Sequence, residues 1–219
     1  ENYTFSMFNE GMIICDGNSW LKLDQSHDIA EDLNNNIDCS LGFSTNNIDW
    51  YISSNNTLHK IGDNQSYEIP EFINNEETIN IWSTKNNQLI WVTENRFALL
   101  DLPSEGGNFT VSFETLYSTK ITTATLGSSL WQETDVEQQL LVIGDNEGNV
   151  TAWNVDLETN TVPSKETRMH LDNGFFNGPI KSVLLANYNN YAQDELFVID
   201  SENLRMFRSS HLVEQINMK

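Results

Sequence analysis

Chemistry in a protein site usually falls to histidines, thiols, nucleophilic serines or converging carboxylates, so the spacing of those residues is the first thing to weigh. The four histidines, His27, His59, His170 and His211, are solitary: none has a second histidine or cysteine within four residues, as zinc sites require. Two cysteines, Cys15 and Cys39, are too few for a disulfide framework or a thiolate metal centre, and two buried reduced thiols are expected. No G-x-S-x-G elbow, P-loop or G-x-G-x-x-G run is present, so neither a serine nucleophile nor a phosphate cradle is indicated. The stretch Asp145-Asn146-Glu147-Gly148-Asn149 has the oxygen density of a calcium loop, but it lacks EF-hand spacing and the distal Glu. It is expected to be a plain turn in which Gly148 supplies backbone freedom. Paired carboxylates for glycoside hydrolysis would need two acids singled out by position, and among 32 Asp and Glu no pair is. No catalytic, cofactor or metal residue is therefore assigned, and no cofactor is expected.

What remains is binding chemistry. Of the six tryptophans, Trp20, Trp50, Trp82, Trp91 and Trp153 sit inside apolar runs and are expected in the core. Trp131 stands instead among Leu130, Gln132 and Glu133, as an exposed partner anchor would. The chain's 219 residues carry 11 Lys and Arg against those 32 acids, for a net charge of −21 and a pI near 4.2. Such a balance repels a phosphate backbone, which excludes direct nucleic-acid binding. Five N-x-S/T sequons, at Asn2, Asn55, Asn64, Asn108 and Asn149, match what chance gives in a chain so rich in Asn, Ser and Thr, and say nothing about secretion. No apolar run reaches the ~18 residues of a membrane span, and no signal-peptide pattern opens the chain, which starts at Glu1 as a fragment or processed form would.

The elements that must position these residues follow from periodicity. Apolar residues almost never recur at helical spacing, whereas short runs of Val, Ile, Thr, Phe, Tyr and Trp bounded by Asn, Asp, Gly and Ser are everywhere. The chain is all-β. Five segments share one pattern of apolar strand, polar turn and alternating strand. They are Gly11 to Leu23, Trp50 to Ile61, Gln88 to Leu100, Gln139 to Trp153 and Glu195 to Phe207. Their last apolar residues before the turn, Cys15, Ile52, Val92, Ile143 and Ile199, are spaced by 37, 40, 51 and 56 residues. Further strand candidates flank them, as at Ile79–Trp82, Phe109–Phe113, Ile180–Tyr188 and His211–Met218. Four strands per unit at roughly 40–45 residues is the arithmetic of a β-propeller blade. A sandwich or barrel has no reason to repeat one hairpin register five times. The expected architecture is a single β-propeller domain of about five four-stranded blades, approximately 1–36, 37–76, 77–117, 118–172 and 173–219, either closed on itself or part of a larger ring.

The run Asp145 to Trp153-Asn154 resembles the third-strand signature of WD-repeat proteins, a polar Gly-containing turn followed by an alternating strand ending in Trp-Asp. Leu23-Asp24, Leu100-Asp101 and Phe207-Arg208 stand at equivalent positions. No unit has the Gly-His dipeptide of that family, so its Asp-His-Ser/Thr-Trp network is not assigned. The resemblance implies a non-enzymatic protein-interaction scaffold, a subunit of a hetero-complex, inside the cell in nucleus or cytoplasm. Four of the five hairpin turns hold an acid: Asp16, Glu94, Asp145 with Glu147, and Asp200 with Glu202. Because these turns share one face of a propeller, they are the expected partner-binding residues, with Trp131, for a basic protein partner. The alternative is a secreted, carbohydrate-binding or carbohydrate-active five-bladed propeller.

Overall fold

A computed structural model describes residues 4–8, 11–15, 20–24, 29–33, 41–45, 48–53, 57–60, 65–84, 88–104, 106–128, 139–155, 162–165, 176–187, 194–208 and 211–218. Two compact units result, one of Glu1–Asn75, Asn87–Leu89 and Leu100–Val111, the other of Glu76–Asn86, Ile90–Leu99 and Ser112–Lys219. Among the described residues the only helix is the four-residue α1 (Glu71–Asn74).

The first sheet is β1 (Thr4–Phe8), β2 (Gly11–Cys15), β3 (Trp20–Asp24) and β4 (Ile29–Leu33) in sequence order, with Cys15 opposite Trp20. The second is β5 (Leu41–Thr45), β6 (Ile48–Ile52), β7 (Thr57–Lys60) and β8 (Ser66–Glu68), again antiparallel neighbours in sequence order. The third holds β9 (Thr78–Ser83), β10 (Gln88–Thr93), β11 (Arg96–Asp101) and β13 (Thr110–Leu116). Between β11 and β13 the chain lays a two-residue strand, β12 (Gly107–Asn108), parallel to β8, so the second sheet has a fifth strand along its outer edge. The fourth sheet is β14 (Ile121–Ser128), β15 (Gln139–Asp145), β16 (Val150–Val155) and β17 (Ser164–Lys165). The fifth is β18 (Ser182–Ala186), β19 (Glu195–Ile199), β20 (Asn203–Arg208) and β21 (His211–Asn217). Every hairpin expected from the sequence is the second and third strand of a sheet.

Composition explains the order within each sheet. β10 (Gln-Leu-Ile-Trp-Val-Thr) is buried at every position, as a near-continuous apolar run must be when both faces are covered. β13 has no buried position and alternates exposed and half-buried residues from Ser112 onward, as an outer strand should. The fourth sheet uses both faces. One carries Leu140, Val142, Val150 and Ala152, packed with Val183, Leu185, Leu196, Val198 and Phe207 of the fifth sheet. The other carries Leu141, Ile143 and Val155, with Trp153 alongside, against Ile90, Val92, Phe97 and Leu99 of the third. Sheets stacked face to face through such layers are what a propeller blade requires. Trp91 and Trp50 are almost fully buried. Trp91 donates its indole N–H to Thr78 Oγ1 at 3.0 Å, which satisfies its one polar atom. Cys15 lies on β2, and Cys39 is outside the described residues.

Candidate functional site

The hairpin turns hold the acids singled out by sequence, and three of them are described in full. In the fourth sheet's turn, Asp145 Oδ1 accepts the backbone N–H of Glu147 (3.0 Å) and Asn149 (2.8 Å), while Oδ2 accepts Thr119 Oγ1 (2.7 Å) and Asn149 Nδ2 (2.8 Å). Gly148, at φ 90°, takes the left-handed conformation that lets the chain fold back over that carboxylate. The fifth sheet repeats the device. Asp200 Oδ1 accepts Glu202 N–H (2.7 Å) and Asn203 N–H (2.8 Å), and Oδ2 accepts Asn177 N–H (3.0 Å) and the Arg205 guanidinium. Arg205 also donates to Gln215 Oε1 (3.1 Å), Gln215 to Asn203 Oδ1 (3.2 Å), and the guanidinium lies 5.3 Å from the centroid of Phe176.

These two aspartates do not face solvent. Asp145 and Asp200 are buried, and their oxygens are occupied by their own turns and by the segments crossing them. Burial alone would raise the Asp200 carboxyl. Hydrogen bonds from Asn177 and Glu202 N–H, the Arg205 guanidinium and Asn203 N–H outweigh it and hold the pKa at about 2. The acid two residues on, Glu147 or Glu202, gives its N–H to the aspartate and has its side chain free of that duty. Glu147 is exposed, and Glu202 is partly exposed with Asn177 Nδ2 3.1 Å away.

In the third sheet the turn is built differently. Buried Thr93 and half-buried Arg96 both donate to Glu76, and Arg96 also reaches Glu114. Burial pushes the Glu76 carboxyl up, but the hydrogen bonds from Arg96 and Thr93 bring it below the ordinary range. Glu94 faces outward and meets Lys120 Nζ at 2.6 Å, and Glu77 meets the same ammonium at 3.3 Å. The Lys120 contact holds the Glu94 carboxyl low, and Glu94, then Glu77, raises the Lys120 ammonium.

Short inter-sheet segments tie the turns together. Ile121 N–H donates to Glu94 O (2.6 Å), Tyr117 N–H to Asn95 O (2.8 Å), Asn146 N–H to Lys120 O (2.9 Å), and Lys120 N–H to Asn146 Oδ1 (3.1 Å). The next segment does the same between the fourth and fifth turns, with Ile180 N–H on Asp145 O (2.9 Å) and Asn177 N–H on Asp200. The three turns are thus linked in sequence by hydrogen bonds through the inter-sheet segments. Asp16 and Trp131 lie outside the described residues. Sequence reasoning overlooked Lys120, Arg96, Arg205 and Glu76. Its signal was scarcity: in a chain with so few cations, each one beside a turn deserves a partner. Among the described residues no three His, Cys, Asp or Glu side chains converge as metal ligands, and no helix is long and apolar enough to cross a membrane.

No protein-family model matches the chain, and no curated protein matches it in sequence. Solved structures do match in fold. The β-propeller domain of Cps50 (Swd1) from Myceliophteria thermophila aligns over 100% of this chain and 74% of its own, at 12% identity and a TM-score of 0.61. The WD40 domain of SCAP from fission yeast aligns over 100% of this chain and 52% of its own, at 12% identity and 0.63. BBS1N, solved in complex with ARL6DN, aligns over 99% and 64%, at 10% identity and 0.57. The chain therefore has a β-propeller fold, and it spans between about half and three quarters of the length of these structures.

Proposed function

We propose that this propeller is a non-enzymatic protein-interaction scaffold within a multi-subunit complex, and that it presents the outward acids of its hairpin turns to a basic protein segment. The observation that carries this reading is the hydrogen-bonded linkage of three successive turns. It fixes Glu94, Glu147 and Glu202 on a rigid frame, so little side-chain and loop ordering is needed on binding. Carboxylates carried by linked turns of a molecule of charge −21 create a potential that steers a Lys/Arg-rich partner and raises its association rate. Asp145 and Asp200 act as the braces of this surface, while Glu147 and Glu202 carry its charge. The fold likeness to BBS1N, a propeller solved with a protein bound, is consistent with this role, although fold alone does not choose among the many uses of propellers.

The test is fluorescence anisotropy with a Lys/Arg-rich peptide and the double variant Glu147→Lys/Glu202→Lys, which leaves both aspartate braces intact. Affinity is expected to fall on the order of tenfold or more, and wild-type binding to weaken steeply between low and physiological salt. Affinity unchanged by both treatments sinks the proposal.

A further inference from the structure

Between the fourth and fifth turns the chain crosses on three exposed residues, Asn177-Gly178-Pro179, flanked by the buried side chains of Phe176 and Ile180. The crossing is fastened at both ends. Asn177 N–H donates to Asp200 Oδ2 at 3.0 Å and its side-chain Nδ2 to Glu202 Oε2 at 3.1 Å, while Ile180 N–H donates to Asp145 O at 2.9 Å. Ile180 also sits directly on the backbone of Gly144, where an added Cβ would stand 2.5 Å from Ile180 Cγ2. Gly178 has φ 79°, and Asn177-Gly178 is the only Asn-Gly pair among the described residues.

An asparagine followed by glycine is prone to intramolecular attack, because glycine puts no side chain over its own amide nitrogen and leaves the backbone free to reach the reactive geometry. We infer that Asn177-Gly178 is a self-modification site, at which deamidation unfastens the link between the fourth and fifth turns. The Gly178 nitrogen bonds to Asn177 Cγ, the Cγ–Nδ2 bond breaks, and ammonia leaves with the proton given up by the Gly178 amide. Water then opens the succinimide at either carbonyl and leaves aspartate or isoaspartate. Water is the only co-reactant, and nothing is oxidised or reduced. Either product disturbs the crossing. Aspartate removes the Nδ2 donor and sets a second carboxylate against that of Glu202. Isoaspartate routes the main chain through the former side chain, which inserts a methylene between the N–H that holds Asp200 and the Ile180 side chain that seats on Gly144. A close-packed seat does not absorb that extra length. The inference uses only the hydrogen-bonded link and is independent of whether the turns bind a basic partner.

The experiment ages the wild type and Asn177→Gln at mildly alkaline pH, folded and in urea. Anion exchange separates the fractions that gain negative charge, and tandem mass spectrometry locates the converted residue in each. An exposed loop opens at little cost, so Asn177 in the folded protein is expected to convert within about tenfold of its rate in urea. The fraction converted at Asn177 is expected to unfold about 2–4 °C below the unconverted one, and aged Asn177→Gln to keep its midpoint. Three results each overturn the inference. Asn177 intact in the folded protein but lost in urea would mean that the fold protects it. A fraction converted at Asn177 that melts with the unconverted protein would mean that the link survives. A fall in aged Asn177→Gln as large as in wild type would place the damage at another residue.

Discussion

Replacing Asp200 by asparagine keeps the size and shape of the side chain and removes only its charge and half of its accepting capacity. The carboxylate takes four donors with no exposed surface of its own: three backbone N–H groups and the Arg205 guanidinium, which is 7% exposed. An asparagine Oδ1 can still accept Glu202 and Asn203 N–H, but its amide group then points donors at Asn177 N–H and Arg205. A carboxyl held at about 2 rather than at the ordinary 3.8 corresponds to about 2 kcal/mol favouring the charged form at neutral pH. Leaving a buried cation without its anion brings the expected loss to about 3–4 kcal/mol. For a chain of this size that is roughly 10 °C in the unfolding midpoint. Because the folded carboxyl lies below the unfolded one, the contribution is fully present above about pH 4 and disappears as pH falls through about 2. The gap between wild type and Asp200→Asn should therefore narrow by about 2 kcal/mol across that window. Circular dichroism melts from neutral to acid pH measure it, with Asp200→Asn/Arg205→Met as the control expected to recover at least half the loss. A gap under about 1 kcal/mol at neutral pH, or one that does not narrow in acid, would refute the assignment of Asp200 as a charged brace.

Tyr117→Phe removes the oxygen that accepts Trp153 Nε1–H at 2.7 Å and should cost about 1–3 kcal/mol; intact stability in a urea titration would contradict that role. Burial raises the Tyr117 phenol, so in an alkaline titration followed by phenolate absorbance this group should ionise after the exposed tyrosines. Gly106 and Gly107 both have positive φ, but a Cβ on Gly106 would meet Ser66 O at 2.8 Å and one on Gly107 would meet nothing within 4 Å. Gly106→Ala should thus destabilise more than Gly107→Ala, by about 1–2 kcal/mol, and the reverse order in thermal melts would be inconsistent with the geometry. Lys120→Met frees Glu94 and Glu77 from an exposed ammonium. Stability should be nearly unchanged, as for an exposed ion pair, while affinity for a Lys/Arg-rich peptide rises severalfold; a fall in affinity would argue against the acidic surface.

The hairpins were legible because their signals are local. A run such as Gln139 to Asp145 followed by Gly148 states strand, turn and register within a dozen residues. The burial of Asp145 and Asp200 was not legible, since an aspartate in a turn of an acidic chain has the same local sequence whether it faces water or its own backbone. The clue lay in spacing: an acid two residues after each aspartate, then Asn149 or Asn203 whose N–H also returns to it, the grammar of a side-chain-capped turn. Arg205 gave a second clue, as a cation between Leu204 and Met206, at a buried position of its strand, needs an anion within reach. The parallel pairing of β12 was beyond reach, because two residues in a Gly-Gly-Asn stretch have no periodicity and their partner lies in an earlier sheet.

That pairing bears on how the protein is made. β8 ends at Glu68, and the strand that covers its free edge, β12, follows about 40 residues later. At ~5–20 residues per second, a ribosome leaves that edge without its last strand for about 2–8 s, while the third sheet's first three strands are being synthesised. The N-terminal sheets consequently do not mature in strict order of synthesis. The second waits for Gly107 and Asn108, and a nascent chain stalled before them offers an open edge for a chaperone to shield or a neighbouring nascent chain to join.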